Sequence, residues 1–251
     1  MERIFTLEKF STDFPINLSE QQKNEIQSRI ESIRKKIKAA EEKSPYGQKA
    51  RLLLATKTRT PDEINFAISL GVSLIGENRV QELCEKYDRI NRENVEIHFI
   101  GALQTNKVKY IIDKVDMIHS LDRISLAKEI DRQAAKIGKV MDVLCEVNLG
   151  EEESKSGILL SEVEDFVMEI SKFKNIRLRG FMAIPPIMTD ISTQMEYFKK
   201  IMDLYIDIST KKIDNRDISV LSIGMSSDYD LAIECGSNLV RIGTAAFGNR
   251  N

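Results

Sequence analysis

The chain has 251 residues, of which 42% are hydrophobic and 30% charged, and its net charge is −2. These proportions are typical of a globular protein with a sizeable core, and a net charge near zero argues against nucleic acid or an anionic membrane surface as a partner. No apolar run is long enough to span a bilayer and residues 1–14 lack the apolar block of a signal peptide, so we expect a cytoplasmic protein.

The first predicted element is a helix that begins just after Ser19. Ser19 with Gln22 three residues later has the pattern of a capping box. Four isoleucines follow at helical spacing, at Ile26, Ile30, Ile33 and Ile37. Because lysines and arginines fill the opposite face, we expect this helix to pack on the outside of the domain. Residues 1–18 are predicted to be a loosely held N-terminal extension.

From residue 51 onward, strand-like and helix-like segments alternate. Eight strands are predicted, at 51–57, 72–76, 95–100, 116–120, 140–148, 176–183, 218–223 and 238–242. Helices are predicted between them, at 61–70, 78–90, 106–113, 122–137, 161–173, 192–210 and 227–235. Alternation of this kind implies a parallel sheet, and eight strands close a barrel. The predicted fold class is therefore α/β, a single (β/α)8 TIM barrel domain over 1–251 with an extra N-terminal helix. A doubly wound open sheet is the alternative.

The cysteines and histidines suggest neither disulfides nor a metal. Cys84, Cys145 and Cys235 lie far apart without a C-x-x-C pair, which fits reduced thiols. His98 and His119 each fall on a predicted strand without a second ligand at metal spacing, so we interpret them as packing or strand-end residues.

Lys57 ends the first predicted strand, after the apolar run Leu52-Leu53-Leu54-Ala55-Thr56. Desolvation disfavours a charged ammonium, so a lysine in such surroundings is a candidate neutral amine that attacks carbonyl compounds. Taken alone, Lys57 has a simpler interpretation, a lysine whose stem packs on the strand while its amine reaches water.

Two loops look suited to a phosphate. In α/β barrels the site lies at the C-terminal ends of the strands, with phosphate often held after strands seven and eight. Gly224, Ser226 and Ser227 follow the seventh predicted strand, and Gly243 and Thr244 follow the eighth. Each loop alone is an ordinary turn with a helix cap. Together, on the same rim as a strand-one lysine, they predict a phosphate-bearing ligand that forms an imine.

Two ligand classes meet that description: the phosphorylated sugar of a Schiff-base aldolase, and pyridoxal 5′-phosphate (PLP). In barrel aldolases the imine lysine ends a late strand. The sixth predicted strand here, 176–183, ends without a lysine, which favours PLP.

Seven segments resemble motifs of the pyridoxal phosphate homeostasis protein family. In chain order they are Ala55-Thr56-Lys57-Thr58, Gly76-Glu77-Asn78, 98–107, 119–122, 180–186, 222–228 and 240–244. The match runs from about residue 20 to the C-terminus. The family is similar in fold to the barrel domain of alanine racemase and of eukaryotic ornithine decarboxylase.

The resemblance implies that PLP is held as a Schiff base on Lys57, and that Ser226, Gly243 and Thr244 bind its phosphate. One departure is Thr56, which stands where the family usually has serine.

The resemblance also implies contacts with the ring of the cofactor. Arg241 would lie near the pyridine nitrogen, as the equivalent arginine does in alanine racemase, with Asn78 at the ring edge and Met182 near the ring face. Lys155 matches a family lysine near the rim, although a solvated loop lysine is an equally good interpretation.

An arginine beside the ring nitrogen favours the unprotonated ring and weakens its action as an electron sink. A racemase also needs a second base on the opposite face of the substrate. Alanine racemase takes that base from a further domain of its partner subunit, and we expect the barrel to occupy this whole chain. No catalytic residue is therefore predicted.

The expected function is storage, buffering or delivery of PLP, as a monomer that exchanges the cofactor with PLP-dependent apoenzymes. A PLP-dependent amino-acid racemase is the alternative, and a barrel that mainly binds a protein partner is a third interpretation.

Overall fold

The barrel is formed by parallel strands in a computed structural model that describes residues 15–150, 156–186, 190–211 and 216–248. The strands are β1 Arg51–Ala55, β2 Leu74–Glu77, β3 Glu96–Phe99, β4 Met117–Leu121, β5 Met141–Asn148, β6 Ile158–Leu159, β7 Ile176–Ala183, β8 Arg216–Ser222 and β9 Leu239–Ile242. Their order is β4-β3-β2-β1-β9-β8-β7-β5, and pairing of β4 with β5 closes the ring. The two-residue β6, which was not predicted, adds to the end of β5 outside the ring.

Helices surround the barrel. They are α1 Glu20–Lys43, α2 Pro61–Ser69, α3 Val80–Lys86, α4 Ile124–Lys136, α5 Val163–Ile170, α6 Ile191–Thr210, α7 Tyr229–Glu234 and α8 Thr244–Phe247. Short 3₁₀ turns occupy Tyr87–Arg89, Thr105–Tyr110 and Leu160–Glu162. The predicted (β/α)8 fold with an added N-terminal helix is confirmed. None of the helices in the described ranges is long and apolar enough to cross a bilayer.

The N-terminal helix α1 begins as its sequence predicts. The Ser19 hydroxyl accepts from the Gln22 N–H at 3.2 Å, and the Gln22 side chain accepts from the Ser19 N–H at 2.9 Å. The four isoleucines of its apolar stripe are all buried, and the helix packs against α2, α7 and α8. Of the predicted extension 1–18, residues 15–18 are described, and Leu18 packs against the core.

Strand alternation separates two apolar regions. Successive side chains of a strand point to opposite faces, so one set fills the barrel and the other meets the helices. The largest cluster lies between strands and helices. Inside the barrel, Leu53, Leu74 and Leu239 form one cluster with Ile100, and a second cluster contains Met117, Leu144 and Met182. Side chains of the described strands therefore fill the barrel interior, as in other barrels of this kind.

Several predicted elements are shorter than their apolar patterns. The first strand was predicted to reach residue 57 but ends at Ala55, whose ladder partner is Gly76. The chain then turns, and Lys57 lies in the turn. The predicted helix 106–113 is a 3₁₀ turn, and the predicted helix 161–173 divides into a 3₁₀ turn and α5.

Candidate functional site

A cavity of about 330 Å³ opens at the C-terminal ends of β1, β2, β8 and β9. Its volume is within the range of small-molecule sites. Six of the seven residues predicted to bind a cofactor line it: Lys57, Asn78, Ser226, Arg241, Gly243 and Thr244. They come from four separated parts of the sequence, and the barrel topology brings them together. Their roles toward a ligand stay predictions.

Lys57 is half-buried, in a turn whose backbone is constrained on both sides. The buried Thr56 hydroxyl donates to Glu77 Oε1 at 2.6 Å. Thr58 has φ +63°, a left-handed conformation that is costly for a β-branched residue, by about 1–3 kcal/mol. Its N–H donates to Glu82 Oε2 at 2.7 Å. Two carboxylates therefore hold the residues on either side of the lysine.

Lys86 joins these two carboxylates. Its ammonium donates to Glu77 Oε1 at 2.8 Å, to Glu82 Oε2 at 3.3 Å and to the Thr56 carbonyl at 3.0 Å. Glu77 has no exposed surface and Lys86 is only 8% exposed. Burial alone would raise the pKa of Glu82, but the Thr58 N–H and the Lys86 ammonium outweigh it and lower that pKa. We call Glu77, Glu82 and Lys86 the lysine-side triad.

The two loops predicted to hold a phosphate meet at Ser226. Its hydroxyl accepts from the backbone N–H groups of Gly243 at 3.3 Å and Ala245 at 3.2 Å. Gly224, which begins the first loop, has φ +93°, and a Cβ there would lie 2.6 Å from Ala232 Cβ. Glycine is therefore required for this close approach. The result is a point where N–H donors converge on one oxygen.

Arg241 occupies the floor of the cavity and is 5% exposed. Nη1 donates to the Ser222 carbonyl at 2.6 Å and to the Ser222 hydroxyl at 2.7 Å, and Nη2 donates to the Ala183 carbonyl at 3.1 Å. Burial lowers the pKa of Arg241 to about 10, against the opposing effect of the Glu146 and Asp228 carboxylates. Arg241 is therefore charged at neutral pH, although all three of its acceptors are uncharged.

Asn78 follows β2 and lines the cavity. Its Oδ1 is buried and has no hydrogen-bond partner among the described residues. Because a buried polar atom without a partner costs free energy, this oxygen is an acceptor that a ligand donor would satisfy.

Met182 is placed differently from the other six predicted residues. It is 1% exposed and packs in the barrel interior against Met117 and Leu144. It therefore has almost no surface to present to a ligand in this structure. Lys155, the predicted rim lysine, lies outside the described residues.

Glu146 was not singled out from the sequence. It lies on β5 opposite Met182 in the ladder. Burial and the Asp122 carboxylate raise the pKa of Glu146 to about 7, while Arg241 and Arg123 act in the opposite direction. A carboxyl that titrates near neutrality, electrostatically coupled to Arg241, is a feature often found near functional sites.

Comparison with known proteins identifies the family. Residues 28–251 match the family model of the alanine racemase N-terminal domain. The pyridoxal phosphate homeostasis protein of Aquifex aeolicus (strain VF5) is 41% identical over 223 residues, which cover 88% of this chain and 97% of that protein. The chain belongs to the pyridoxal phosphate homeostasis protein family.

Solved structures agree with this membership. A structure described as an unknown protein from Bifidobacterium adolescentis is 34% identical, with a TM-score of 0.87 over 95% of this chain and 100% of that chain. PipY of Synechococcus elongatus PCC7942, solved with PLP bound, is 27% identical, with a TM-score of 0.76 over 89% of this chain and 100% of that chain. The resemblance read from the motifs is confirmed.

Sequence reasoning missed the residues that support those motifs. Glu82 and Lys86 stand four residues apart on α3, a spacing that favours an ion pair and could have drawn notice. The contact of Lys86 with Glu77 depends on how α3 packs on β2, which no local pattern shows. His98 and His119 were interpreted as packing or strand-end residues. Both are buried on their strands, and they are also hydrogen-bonded to each other at 2.9 Å, which the sequence does not show.

Proposed function

We propose that this member of the family binds PLP in the cavity, holds it as a Schiff base on Lys57, and stores, buffers or delivers it. One observation carries the proposal: a lysine, a convergence of N–H donors and a buried arginine line the same cavity. PLP has three groups to match them, an aldehyde, a phosphate and a pyridine nitrogen. When bound, PLP supplies an electrophilic aldehyde whose condensation with an amine forms a C=N bond and releases water.

The lysine end is suited to a fixed linkage. Leu53 belongs to the interior cluster and Ala55 packs against it, and Lys57 lines the cavity from the turn that follows β1. The lysine-side triad holds the backbone of Thr56 and Thr58. A constrained backbone on both sides reduces the positions that the amine can sample, which favours one attachment geometry.

The phosphate end offers donors that already converge. The N–H groups of Gly243 and Ala245 point at the Ser226 hydroxyl. A phosphate oxygen that took this acceptor position would leave the Ser226 hydroxyl free to donate to it as well. Thr244, between the two N–H groups in the sequence, adds a hydroxyl at the cavity wall.

The ring end favours retention of PLP over turnover. Arg241 can only donate, so it stabilises a pyridine nitrogen that carries a lone pair and no proton. An unprotonated ring is a weak electron sink, and carbanion chemistry on it is slow. Asn78 Oδ1 provides an acceptor in the same cavity for a hydroxyl or N–H donor of the ligand.

The racemase alternative has one observation in its favour. Glu146, with a pKa of about 7, is able to accept or release a proton at neutral pH. Incubation of the PLP-loaded protein with D- and L-amino acids, followed by optical rotation, separates the two functions. Turnover well above that of free PLP, abolished by Glu146→Gln, would overturn the carrier function.

Borohydride reduction followed by peptide mass mapping tests the attachment. Reduction of the PLP-loaded protein is expected to leave a pyridoxyl group on the peptide that contains Lys57. Lys57→Ala should remove the adduct, whereas Lys49→Ala, at an exposed lysine just before the same strand, should not. An adduct on any other lysine would overturn the assignment.

The finer parts of the proposal concern the cell. We propose a cytoplasmic monomer that gives PLP to, or takes it from, PLP-dependent apoenzymes. Mixing the loaded protein with an apoenzyme and following recovery of that enzyme's activity tests delivery, with free PLP at the same concentration as the reference.

A further inference from the structure

A run of hydrogen bonds leads from the cavity through the barrel interior. Arg241 Nη1 donates to Ser222 Oγ at 2.7 Å, and Ser222 Oγ lies 3.3 Å from His119 Nδ1. His119 Nε2 lies 2.9 Å from His98 Nδ1, and His98 Nε2 lies 3.3 Å from Glu96 Oε2. Ser222 and both histidines are at most 1% exposed. We call these five residues the arginine chain.

The two ends of the arginine chain decide the direction of every bond in it. Arginine can only donate, and an ionised carboxylate can only accept. Because the Ser222 hydroxyl accepts from Arg241, its own proton goes to His119 Nδ1. His119 therefore carries its proton on Nε2 and donates to His98 Nδ1. His98 in turn carries its proton on Nε2 and donates to Glu96.

The opposite arrangement pairs like with like. A proton on His119 Nδ1 would remove the acceptor that the Ser222 hydroxyl has in this structure. A bare Nε2 on His98 would set a nitrogen lone pair against the carboxylate of Glu96. Both the hydroxyl without an acceptor and the nitrogen facing the carboxylate would be buried, and a buried polar group without a partner carries its full desolvation cost.

A charged imidazole is also disfavoured. Burial lowers the pKa of His98, although the Glu96 carboxylate and the more distant Asp116 oppose it and Arg51 adds to it. Burial lowers the pKa of His119 well below its ordinary value, and the Arg241 guanidinium and any positive charge on His98 act in the same direction.

The acceptor end lies at the opposite mouth of the barrel. Glu96 and Arg51 are the first residues of β3 and β1, and Arg51 Nη2 donates to Glu96 Oε1 at 2.7 Å. The His98 hydrogen bond and the Arg51 guanidinium, against the effect of burial, lower the pKa of Glu96 to about 2. Glu96 is therefore ionised at neutral pH, and the arginine chain has a permanent acceptor.

We infer that the arginine chain has a single donor direction, with His98 and His119 both neutral and protonated on Nε2, and that it positions Arg241 in the cavity. The second half of this inference rests on the proposed function, since positioning matters for the ligand that Arg241 faces. The first half concerns the protein alone. Ser222 and the two histidines act through Arg241 and are positioning residues.

The tautomers are directly measurable because the chain contains only two histidines. Two-dimensional NMR of the full chain labelled with ¹⁵N-histidine, at pH 7 and without added PLP, reports the protonated nitrogen of each ring. Two neutral rings with the proton on Nε2 are expected. An Nδ1–H tautomer or an imidazolium at either position would overturn the donor direction.

Ser222→Ala breaks the arginine chain with the smallest change in volume. It removes the hydroxyl that joins Arg241 to His119 but leaves the Ser222 and Ala183 carbonyls as acceptors. Ser237→Ala is the matched control. Ser237 is also a fully buried serine beside the barrel wall, and its hydroxyl donates to the Ile223 carbonyl at 2.8 Å without contacting Arg241.

Both variants are titrated with PLP and followed by the absorption spectrum of the bound cofactor. Ser222→Ala is expected to weaken PLP binding about tenfold, to shift the spectrum and to change the His119 ¹⁵N signals. Ser237→Ala should leave the PLP affinity, the absorption spectrum and the His119 ¹⁵N signals unchanged. It should lower thermal stability by about as much as Ser222→Ala does. Equal PLP affinity and spectra in the two variants would overturn the positioning role.

The NMR measurement and the PLP titration can be distinguished from a failure of the proposed function. A wild-type chain that binds no PLP would contradict the proposed function and the positioning role together, and the NMR result would still decide the donor direction. Glu96→Gln provides a conservative check, because its amide oxygen can still accept from His98. His98 is expected to keep its Nε2–H tautomer in Glu96→Gln and to lose it in Glu96→Leu. The reverse pair of results would contradict the donor direction of the arginine chain.

Discussion

The two sides of the cavity are held by different kinds of interaction. Behind Lys57, the lysine-side triad consists of charged groups that largely satisfy one another. Behind Arg241, the nearest supports are a hydroxyl and two carbonyl oxygens, and the first ionised partner in the arginine chain lies at the far end of the barrel. A carboxylate placed directly on Arg241 would neutralise it. Uncharged acceptors fix its orientation and leave its positive charge available to a ligand.

The largest expected effect is on the lysine side. Lys86→Met leaves the fully buried Glu77 without its cation, and an unpaired buried charge is strongly destabilising, by about 3–5 kcal/mol. The free energy of unfolding in urea measures this loss. Lys36→Met, on the exposed face of α1, is the control and should change stability by less than about 0.5 kcal/mol. A loss of similar size in the two variants would mean that Glu77 is stabilised without Lys86.

As pH falls, folding stability is expected to be lost first through the histidines of the arginine chain, on the Arg241 side of the cavity. The pKa values of His98 and His119 are lowered in the folded state, so the unfolded chain binds more protons as pH falls below about 6.5. Each histidine then lowers stability by up to about 1.4 kcal/mol per pH unit. Glu146, whose pKa is raised to about 7, binds its proton in the folded state first and opposes one of them.

The net loss of stability as pH falls below 6.5 is therefore expected to be at most about 1.4 kcal/mol per unit, and Glu146→Gln should make it steeper. Urea unfolding at several pH values measures both slopes. The lysine side responds in a lower window, because the lowered pKa of Glu82 keeps its contribution until pH falls below about 4.5. An unchanged slope in Glu146→Gln would show that this carboxyl does not titrate near neutrality.

The smallest expected effect concerns the strained turn. Thr58→Gly removes a Cβ from a left-handed backbone and is expected to stabilise the fold by about 1 kcal/mol, after allowance for the greater entropy of glycine in the unfolded chain. Asn94→Gly is the matched control, since Asn94 has φ +58° but asparagine tolerates this region. If thermal unfolding shows that Thr58→Gly stabilises the protein no more than Asn94→Gly does, the backbone at Thr58 is not strained.

Much of the site could be predicted from the sequence because its parts are local. The Gly224 to Ser226 and Gly243-Thr244 loops carry their turn chemistry in their own residues, and they lie where a barrel places such loops. Lys57 was correctly placed at the rim, although its strand ends two residues earlier than its apolar pattern. Met182 lies in a matched segment, but its packing against Met117 and Leu144 in the barrel interior is not visible from the motif, and its role toward a ligand stays a prediction.

The sequence by itself determined the alternation of strands and helices, the capped N-terminal helix, the family, and the set of polar residues at the strand ends. These depend on residue type and on spacing within one element. Only the tertiary structure decided what stands behind Lys57 and Arg241. Those contacts join β1 with β2 and α3, and β9 with β8, β4 and β3, and they depend on strand register and closure of the barrel. A polar side chain inside a barrel acquires its partner from another strand, either beside it or across the interior, which spacing along the chain does not show.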